Sequence, residues 1–380
     1  MAVVGASAAG IFAAYLLARE GLGVEIIERS PSLDPASRTL IVTQRMLHLL
    51  GDLTGGSVVN QIRRFELFTD GRAAQFTLQD PDLIIERSKL IRTLAHRASA
   101  AGARISLGRR FHSLSPEGAA LSLRLDHHPE DSSPNREEQL LAPVVIGSDG
   151  ASSEVARAAG WPSQPAVPLI QAMVSLPPDM DPDTVRVWFV PQDTPYFYWL
   201  IPESPTRGAL GLIGESGPTA LVHLQRFLEK RRLEPIEYQA ALIPAYRRWV
   251  PIERRLGRGR VFLVGDAAAH VKVTTVGGVV TGFRGAMGVA ESILRGASRE
   301  LRALRRELDA HLLLRRSLHH FQQADYSRLV DLMDTGTRGA LGLYSRDDAV
   351  RVLWHICRRQ PRLLLMGLRG ILAGARRSIS

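Results

Sequence analysis

Three short stretches, far apart in the chain, combine small residues with carboxylates in a way suited to holding phosphates and polyol hydroxyls. The first is Gly5-Ala6-Ser7-Ala8-Ala9-Gly10, followed by apolar Ile11 to Leu17 and then Glu28-Arg29. The second is Gly147-Ser148-Asp149-Gly150, with Ser153 and Arg157 after it. The third is Gly265-Asp266-Ala267-Ala268, leading to Gly277-Gly278-Val279. A glycine-rich turn that opens a helix attracts anions, because its amides lack partners and the helix dipole favours negative charge there. Carboxylates at strand ends accept hydrogen bonds from sugar hydroxyls.

These stretches need elements that bring them together. Met1 to Val4 is an unbroken apolar run, as expected of a central parallel strand buried on both faces. It breaks at Gly5. Ile11 to Leu17 has helical apolar spacing, Gly21 to Gly23 ends that helix, and Val24 to Ile27 makes a second strand. This βαβ unit sets Glu28 near the distance at which a carboxylate meets a ribose hydroxyl pair, and Gly10 permits close helix packing. Ser7 stands where the usual pattern has its middle glycine. It is small, and its hydroxyl can donate to a phosphate. Val144 to Ile146 and Val261 to Val264 are further buried strands, leading to Asp149 and Asp266. Gly277-Gly278 then starts a helix from Val279 to Leu294, in which Gly282, Gly285, Ala286 and Gly288 allow a close neighbour. Its first amides can face a flavin ring and stabilise the negative charge that reduction places there. In this order and spacing, the three stretches point to one bound FAD.

On these residues the chain resembles the FAD-dependent oxidoreductases that include aromatic hydroxylases, flavin halogenases and geranylgeranyl reductases. It is most similar to the geranylgeranyl reductase branch. The likeness rests on Gly265-Asp266-Ala267-Ala268 followed by Val271-Lys272-Val273-Thr274-Thr275-Val276-Gly277-Gly278. This is a Lys-x-Thr-Thr-x-Gly-Gly form of a loop that is proline-rich in the hydroxylases. Tyr196-Phe197-Tyr198-Trp199-Leu200-Ile201-Pro202 is similar to the aromatic-x-Trp-x-aromatic-Pro strand of those reductases. The resemblance covers residues 2 to 300. Val273 replaces the usual proline of the branch, and Cys357, the only cysteine, has no place matching the cysteine near the flavin in some prenyl reductases.

The resemblance implies that Arg87 helps to hold the cofactor. The expected cofactor-binding residues are Gly5, Ala6, Ser7, Ala8, Ala9, Gly10, Glu28, Arg29, Arg38, Arg87, Asp149, Gly265, Asp266, Gly277, Gly278 and Val279. Tyr196, Tyr198 and Trp199 are expected to line a substrate cavity, the alternative being that they fill the sheet core. Strand alternation puts Tyr196 and Tyr198 on one face, Phe197 and Trp199 on the other. The expected reaction is hydride transfer from reduced FAD to a carbon–carbon double bond of an apolar, isoprenoid substrate. NAD(P)H visiting the flavin, or a separate protein, would supply the electrons. Lys272, His270 and the two tyrosines are candidate proton donors, with none singled out. The rival expectation is a monooxygenase acting on an aromatic or polyketide substrate, or, further off, a halogenase. A third reading is a flavin- or lipid-binding protein without turnover.

The expected fold is α/β: a Rossmann-like FAD-binding domain with a parallel sheet, an inserted antiparallel-sheet substrate domain and a helical C-terminal region. Residues 1–160 and 251–300 build the first, and 161–250 the second. A hairpin over 62–80, turning at Asp70-Gly71, is expected to join the sheet domain, and 301–380 is helical. Glu86-Arg87-Ser88 starts a helix running through Ala101. Asp126 to Gln139, charged and holding two prolines and paired histidines, reads as a solvated hairpin tip and not a metal site.

Composition narrows the classes. One cysteine in 380 residues excludes a disulfide framework and a cysteine-ligated cluster. The chain opens directly on a strand, so no secretory leader is expected, and no stretch is long and apolar enough to span a bilayer. A cytoplasmic location is expected. The net charge of +10 comes from scattered arginines without a nucleic-acid motif, so no nucleic-acid partner is expected. From Arg351 to Ser380 there are seven arginines, no acidic residue, and Leu363-Leu364-Leu365-Met366. That segment either packs on the protein body or lies peripherally on an anionic membrane surface.

Overall fold

The computed structural model describes residues 1–34, 38–127 and 136–377. Ala2–Val4 lies at the centre of a parallel sheet, between Val144–Gly147 and Glu25–Ile27. Gly259–Leu263 and Arg104–Ser106 extend it on either side, and Glu253–Leu256 adds an antiparallel edge. Ala2–Val4 is wholly buried, which is why it shows no polar alternation. Helix Ala8–Arg19 leaves this strand through Gly5 and packs on helix Val279–Arg295, with Phe12 edge-on to Phe283 at 5.3 Å.

The second sheet has eight strands in the order Pro235–Pro244, Ala166–Ser175, Arg207–Ile213, Tyr198–Pro202, Thr184–Trp188, Val58–Thr69, Arg72–Glu86 and Thr39–Val42. The hairpin is longer than the expected 62–80. It turns at Asp70 and Gly71, with φ of 40° and 75°, the paired positive φ that a two-residue hairpin turn requires. Parallel pairing of Thr184–Trp188 with Val58–Thr69 welds this early hairpin to the later strands. Helix Gly217–Arg231 covers one face of the sheet, where Leu224 and Phe227 meet Tyr198, Leu200 and Leu212. The opposite face gathers Ile62, Phe65, Val187, Trp199 and Ile201.

A third, three-stranded sheet joins Arg109–Glu117, Ala120–His127 and Arg136–Ala142. Its strands pair as far as His127 and Arg136, further than expected, and residues 128–135 of the anticipated hairpin tip lie outside the described residues. Among the described residues no group of His, Cys, Asp and Glu is arranged to hold a metal.

Helices Arg299–Leu318, Gln323–Asp331, Thr335–Leu343, Ala349–Arg359 and Pro361–Arg377 complete the chain. The last packs on Arg299–Leu318: Met366 is buried, and a Cβ at Gly370 would overlap the Ser317 carbonyl oxygen. One face of the tail therefore rests on the protein body. Among the described residues no helix is long and apolar enough to cross a membrane.

Candidate active site

The three stretches meet at the first turn. Gly5 has φ of 95° and passes so near the second stretch that a Cβ there would stand 2.7 Å from the Ser148 carbonyl oxygen. Only glycine satisfies both that φ and that clearance. The Ser148 hydroxyl lies 3.0 Å from the Val4 carbonyl oxygen and 2.5 Å from that of Gly5, and fills the space beside Gly10. From the third stretch, Gly265 and Gly282 close on Ala9: a Cβ on either would touch the Ala9 methyl at 3.2 and 3.5 Å. Sequence spacing carried no sign of Ser148's part, because its partners are backbone atoms far back in the chain.

Glu28 accepts from the Ala6 amide at 2.7 Å and the Ser30 amide at 2.9 Å, which holds the turn while leaving lone pairs for a sugar hydroxyl. Ser7 Oγ caps the helix by accepting from the Gly10 amide at 3.1 Å, so its proton stays available to a phosphate. The amides of Ala8 and Ala9 have no intrahelical acceptor. Arg29 is exposed beside Glu28. Asp149 accepts from Ser153 Oγ and the Glu154 and Val155 amides at 2.5, 2.7 and 3.1 Å, so both its oxygens are engaged in starting helix Glu154–Ala158.

Asp266 lies on the single turn Gly265–Ala268, at 3.3 Å from where a Cβ on Gly278 would be. Burial pushes its carboxyl up to about 6, against the opposing charges of Arg87 and Arg38. Both guanidiniums are half-buried and lowered by that burial, Arg38 further by the charge of Arg87. Arg38 Nη2 donates to the Ala240 carbonyl at 3.0 Å on the edge strand. Neither arginine forms a close ion pair among the described residues. Two cations over one carboxyl of raised pKa leave a surplus of positive charge beside the helix amides. That surplus, with the glycine clearances, fits the diphosphate of a dinucleotide.

The loop before Gly277-Gly278 is closed by the Lys272 amide donating to Gly277 at 3.2 Å and the Val276 amide to Lys272 at 2.7 Å. Val276 has φ of 54°, unusual for a β-branched residue and sustained only where the surroundings over-determine it. Its side chain packs against the Trp199 face of the second sheet. Val279 opens the helix behind this loop. Lys272 is buried in an ion pair with Asp347, which also accepts from Thr43 Oγ1. Burial works against the Asp347 anion, but the charge of Lys272 and hydrogen bonds from Lys272 and Thr43 hold it down at about 2. Lys272 is therefore committed to this pair, which corrects its candidacy as a proton donor.

His270 is corrected too. It is fully buried and stacks on Trp249 at 5.6 Å, and its ring nitrogens have no hydrogen-bond partner among the described residues. Burial, reinforced by the charge of Arg284, pulls it down to about 3, so it is neutral at pH 7. A third buried group escaped the sequence reading: His311 Nδ1 lies 2.5 Å from Thr274 Oγ1 in the loop. Asp347, Thr43 and His311 sit outside every recognisable motif, and only the fold gathers them.

The aromatic strand also differs from expectation. Regular pairing begins at Tyr198, so Tyr196 lies before the strand and does not share the face of Tyr198. Tyr198 is buried against Phe227 at 4.0 Å and donates to Asp193 at 2.9 Å, on the face covered by helix Gly217–Arg231. This removes it from the candidate substrate surface. Trp199 faces the other way, with Phe65 and Ile201, and Tyr196 and Phe197 pack against that same cluster together with Val276 of the loop. The apolar face and the cofactor-type loop thus share a boundary.

Residues 1–298 match the FAD binding domain family. A digeranylgeranylglycerophospholipid reductase of Methanothermobacter thermautotrophicus is 30% identical over 293 residues, covering 73% of each chain. A second, from Methanopyrus kandleri, is 30% identical over 295 residues, covering 73% of this chain and 76% of the relative. Among solved structures, a geranylgeranyl bacteriochlorophyll reductase-like protein from Thermoplasma acidophilum superposes with a TM-score of 0.80 at 19% identity, covering 97% and 98% of the two chains. Aklavinone-11 hydroxylase, solved with FAD and aklavinone, gives 0.60 at 20% identity over 87% of this chain and 69% of its own. The glycine turn and the acid-glycine pair behind it fit a dinucleotide, and the family match and the relatives show that the chain belongs to the FAD-binding oxidoreductases, on the branch of the geranylgeranyl reductases.

Proposed function

We propose that this flavoenzyme reduces carbon–carbon double bonds of an isoprenoid substrate. The observation that carries the reading is the shared boundary between the Gly277-Gly278 loop and an apolar sheet face built from Phe65, Trp199 and Ile201. Such a face excludes water and takes a hydrocarbon chain, with burial contributing about 0.8 kcal/mol per CH₂. FAD, when bound, supplies the hydride chemistry. Gly5 to Gly10, Arg38, Arg87 and Glu28 would hold its diphosphate and ribose, Asp266 its polyol, and the amides after Gly278 its ring edge. Val276 of the loop packs against the apolar face. With Lys272 paired to Asp347 and His270 neutral, the proton that joins the hydride in saturating the double bond would come from Tyr196 or from water. The relatives named for digeranylgeranylglycerophospholipids favour this over the oxygenase alternative.

The tail supports contact with anionic membranes. Val350, Trp354, Leu364, Leu365 and Leu368 are exposed on the last two helices, among exposed Arg351, Arg358, Arg362 and Arg369. Apolar side chains between arginines match an anionic lipid interface. Vesicles containing anionic lipid should sediment the protein, and W354S/L365S should abolish this; equal binding to zwitterionic vesicles refutes the charge argument.

Anaerobic reduction of the holoenzyme followed by addition of polyprenyl substrates tests the reaction. Reoxidation by the prenyl compound without oxygen supports the reductase. An absolute need for oxygen supports the monooxygenase, and no reoxidation by either leaves a binding protein.

A further inference from the structure

We propose that Arg315 recognises the phosphate of an isoprenoid phosphate ester whose chain lies on the apolar sheet face. This deepens the reading above and rests on it for the nature of the chain.

Helix Arg299–Leu318 buries Glu307, His311 and Arg315, which at four-residue spacing share one face. The first two each have a side-chain partner from another element, although Glu307 Oε1 and His311 Nε2 find no hydrogen-bond partner among the described residues. Glu307 pairs with Arg284 and with Arg45, and His311 meets Thr274 of the cofactor-type loop. Arg315 differs. It is 8% exposed, yet among the described residues no carboxylate lies within ion-pair distance. Its Nη2 donates to the Pro195 carbonyl at 2.8 Å and approaches His319 Nδ1 at 3.5 Å. The guanidinium carbon stands 3.7 Å from the centre of the Tyr196 ring. Among the described residues these contacts leave most of its five donors without a protein acceptor.

The same protein shows how it treats a buried arginine with a purely structural role. Arg284, 1% exposed, holds Glu300 and Glu307. Burying a cation without a counter-charge is costly, and a fold retains it where a ligand supplies the charge. A planar fork of donors matches phosphate oxygens in pairs, which a lysine does not. Place supports the assignment as well. Arg315 is one helical turn, roughly 6 Å, from His311 and so from the Thr274 loop. Its stacking partner Tyr196 packs on the cluster of Trp199, Phe197 and Val276. An anion site at the end of an apolar face, one turn from the redox loop, suits an amphiphile with a phosphate head.

The test is equilibrium binding to FAD-loaded protein, with geranylgeranyl phosphate, geranylgeraniol and inorganic phosphate as probes. Wild type should bind the phosphate ester at least tenfold more tightly than the alcohol, with inorganic phosphate alone weak. R315M should erase that preference while leaving affinity for the alcohol unchanged. R315K, which keeps the charge if R315M fails to fold, should reduce the preference several-fold. Equal affinity for ester and alcohol in wild type overturns the proposal, as does a preference that survives in both variants. Inorganic phosphate binding as tightly as the ester, and lost in R315M, would make this a free-anion site and overturn it also. Binding separates the two readings: a phosphate preference dependent on Arg315 without double-bond reduction removes the reductase assignment only. Reduction of ester and alcohol with no preference removes only the role of Arg315.

Discussion

Lys272 and Asp347, seventy-five positions apart, form a buried ion pair that fastens the helical C-terminal region to the loop ending in Gly277-Gly278. The family match stops at residue 298, so the loop that borders the proposed cofactor site is anchored from outside the matched region. The backbone of the same loop carries the strained Val276, and its Thr274 meets His311. With Val276 packed against the Trp199 face, three contacts with later or distant elements stand behind one short segment.

Removing one partner of this pair leaves an uncompensated buried charge, which costs about 3–5 kcal/mol. Asp347→Leu and Lys272→Met should each destabilise by that order in urea denaturation, and the double variant should recover much of it. FAD affinity should fall in each single variant. Purely additive losses would show that the pair is not a coupled unit.

Gly10→Ala should disrupt the first turn, because its methyl would overlap Ser148 Oγ. Overpacking of this kind costs about 1–3 kcal/mol, and FAD content on purification should drop with it. Adding Ser148→Gly clears the space and should restore both stability and flavin content. A Gly10→Ala protein that purifies fully loaded would contradict the crowding.

Asp266 has its folded pKa raised to about 6 by burial. Folding therefore favours its protonated form, and its contribution is greatest below the unfolded value near 4. That contribution is lost as pH rises through about 6. In the FAD-free protein, the melting temperature of wild type relative to Asp266→Asn should decline between pH 4 and pH 7. A pH-independent difference would place Asp266 in a more solvated setting.

His270 runs the other way. Its pKa falls to about 3, so the fold excludes the charged form and loses stability as pH drops below the unfolded value near 6.5. His270→Leu should flatten the acid limb of the stability curve. Unchanged acid sensitivity would show that other groups dominate there.

Tyr198 and Trp199 are neighbours with opposite duties. Tyr198→Phe loses one hydrogen bond to Asp193, about 1 kcal/mol, and should leave turnover of a prenyl substrate near that of wild type. Trp199→Ala opens the face that meets Val276 and should raise KM or lower kcat by tenfold or more. Similar activity losses in both would mean the two sheet faces are not functionally distinct.

The amino-acid order by itself determined the flavin fold. Apolar runs without alternation marked the central strands, glycines marked turns that admit no Cβ, and Asp70-Gly71 marked the hairpin, all local properties of short segments. Expectations failed where orientation depended on where a strand begins: alternation counted from Tyr196 put it beside Tyr198, but pairing starts at Tyr198. Lys272 and His270 looked like acids until Asp347 and a dry interior took them out of use. Only the tertiary structure decided these points, because burial and ion pairing depend on neighbours brought from distant positions. The counter-charge that Lys272 finds, and that Arg315 lacks among the described residues, is invisible in either residue's own surroundings along the chain.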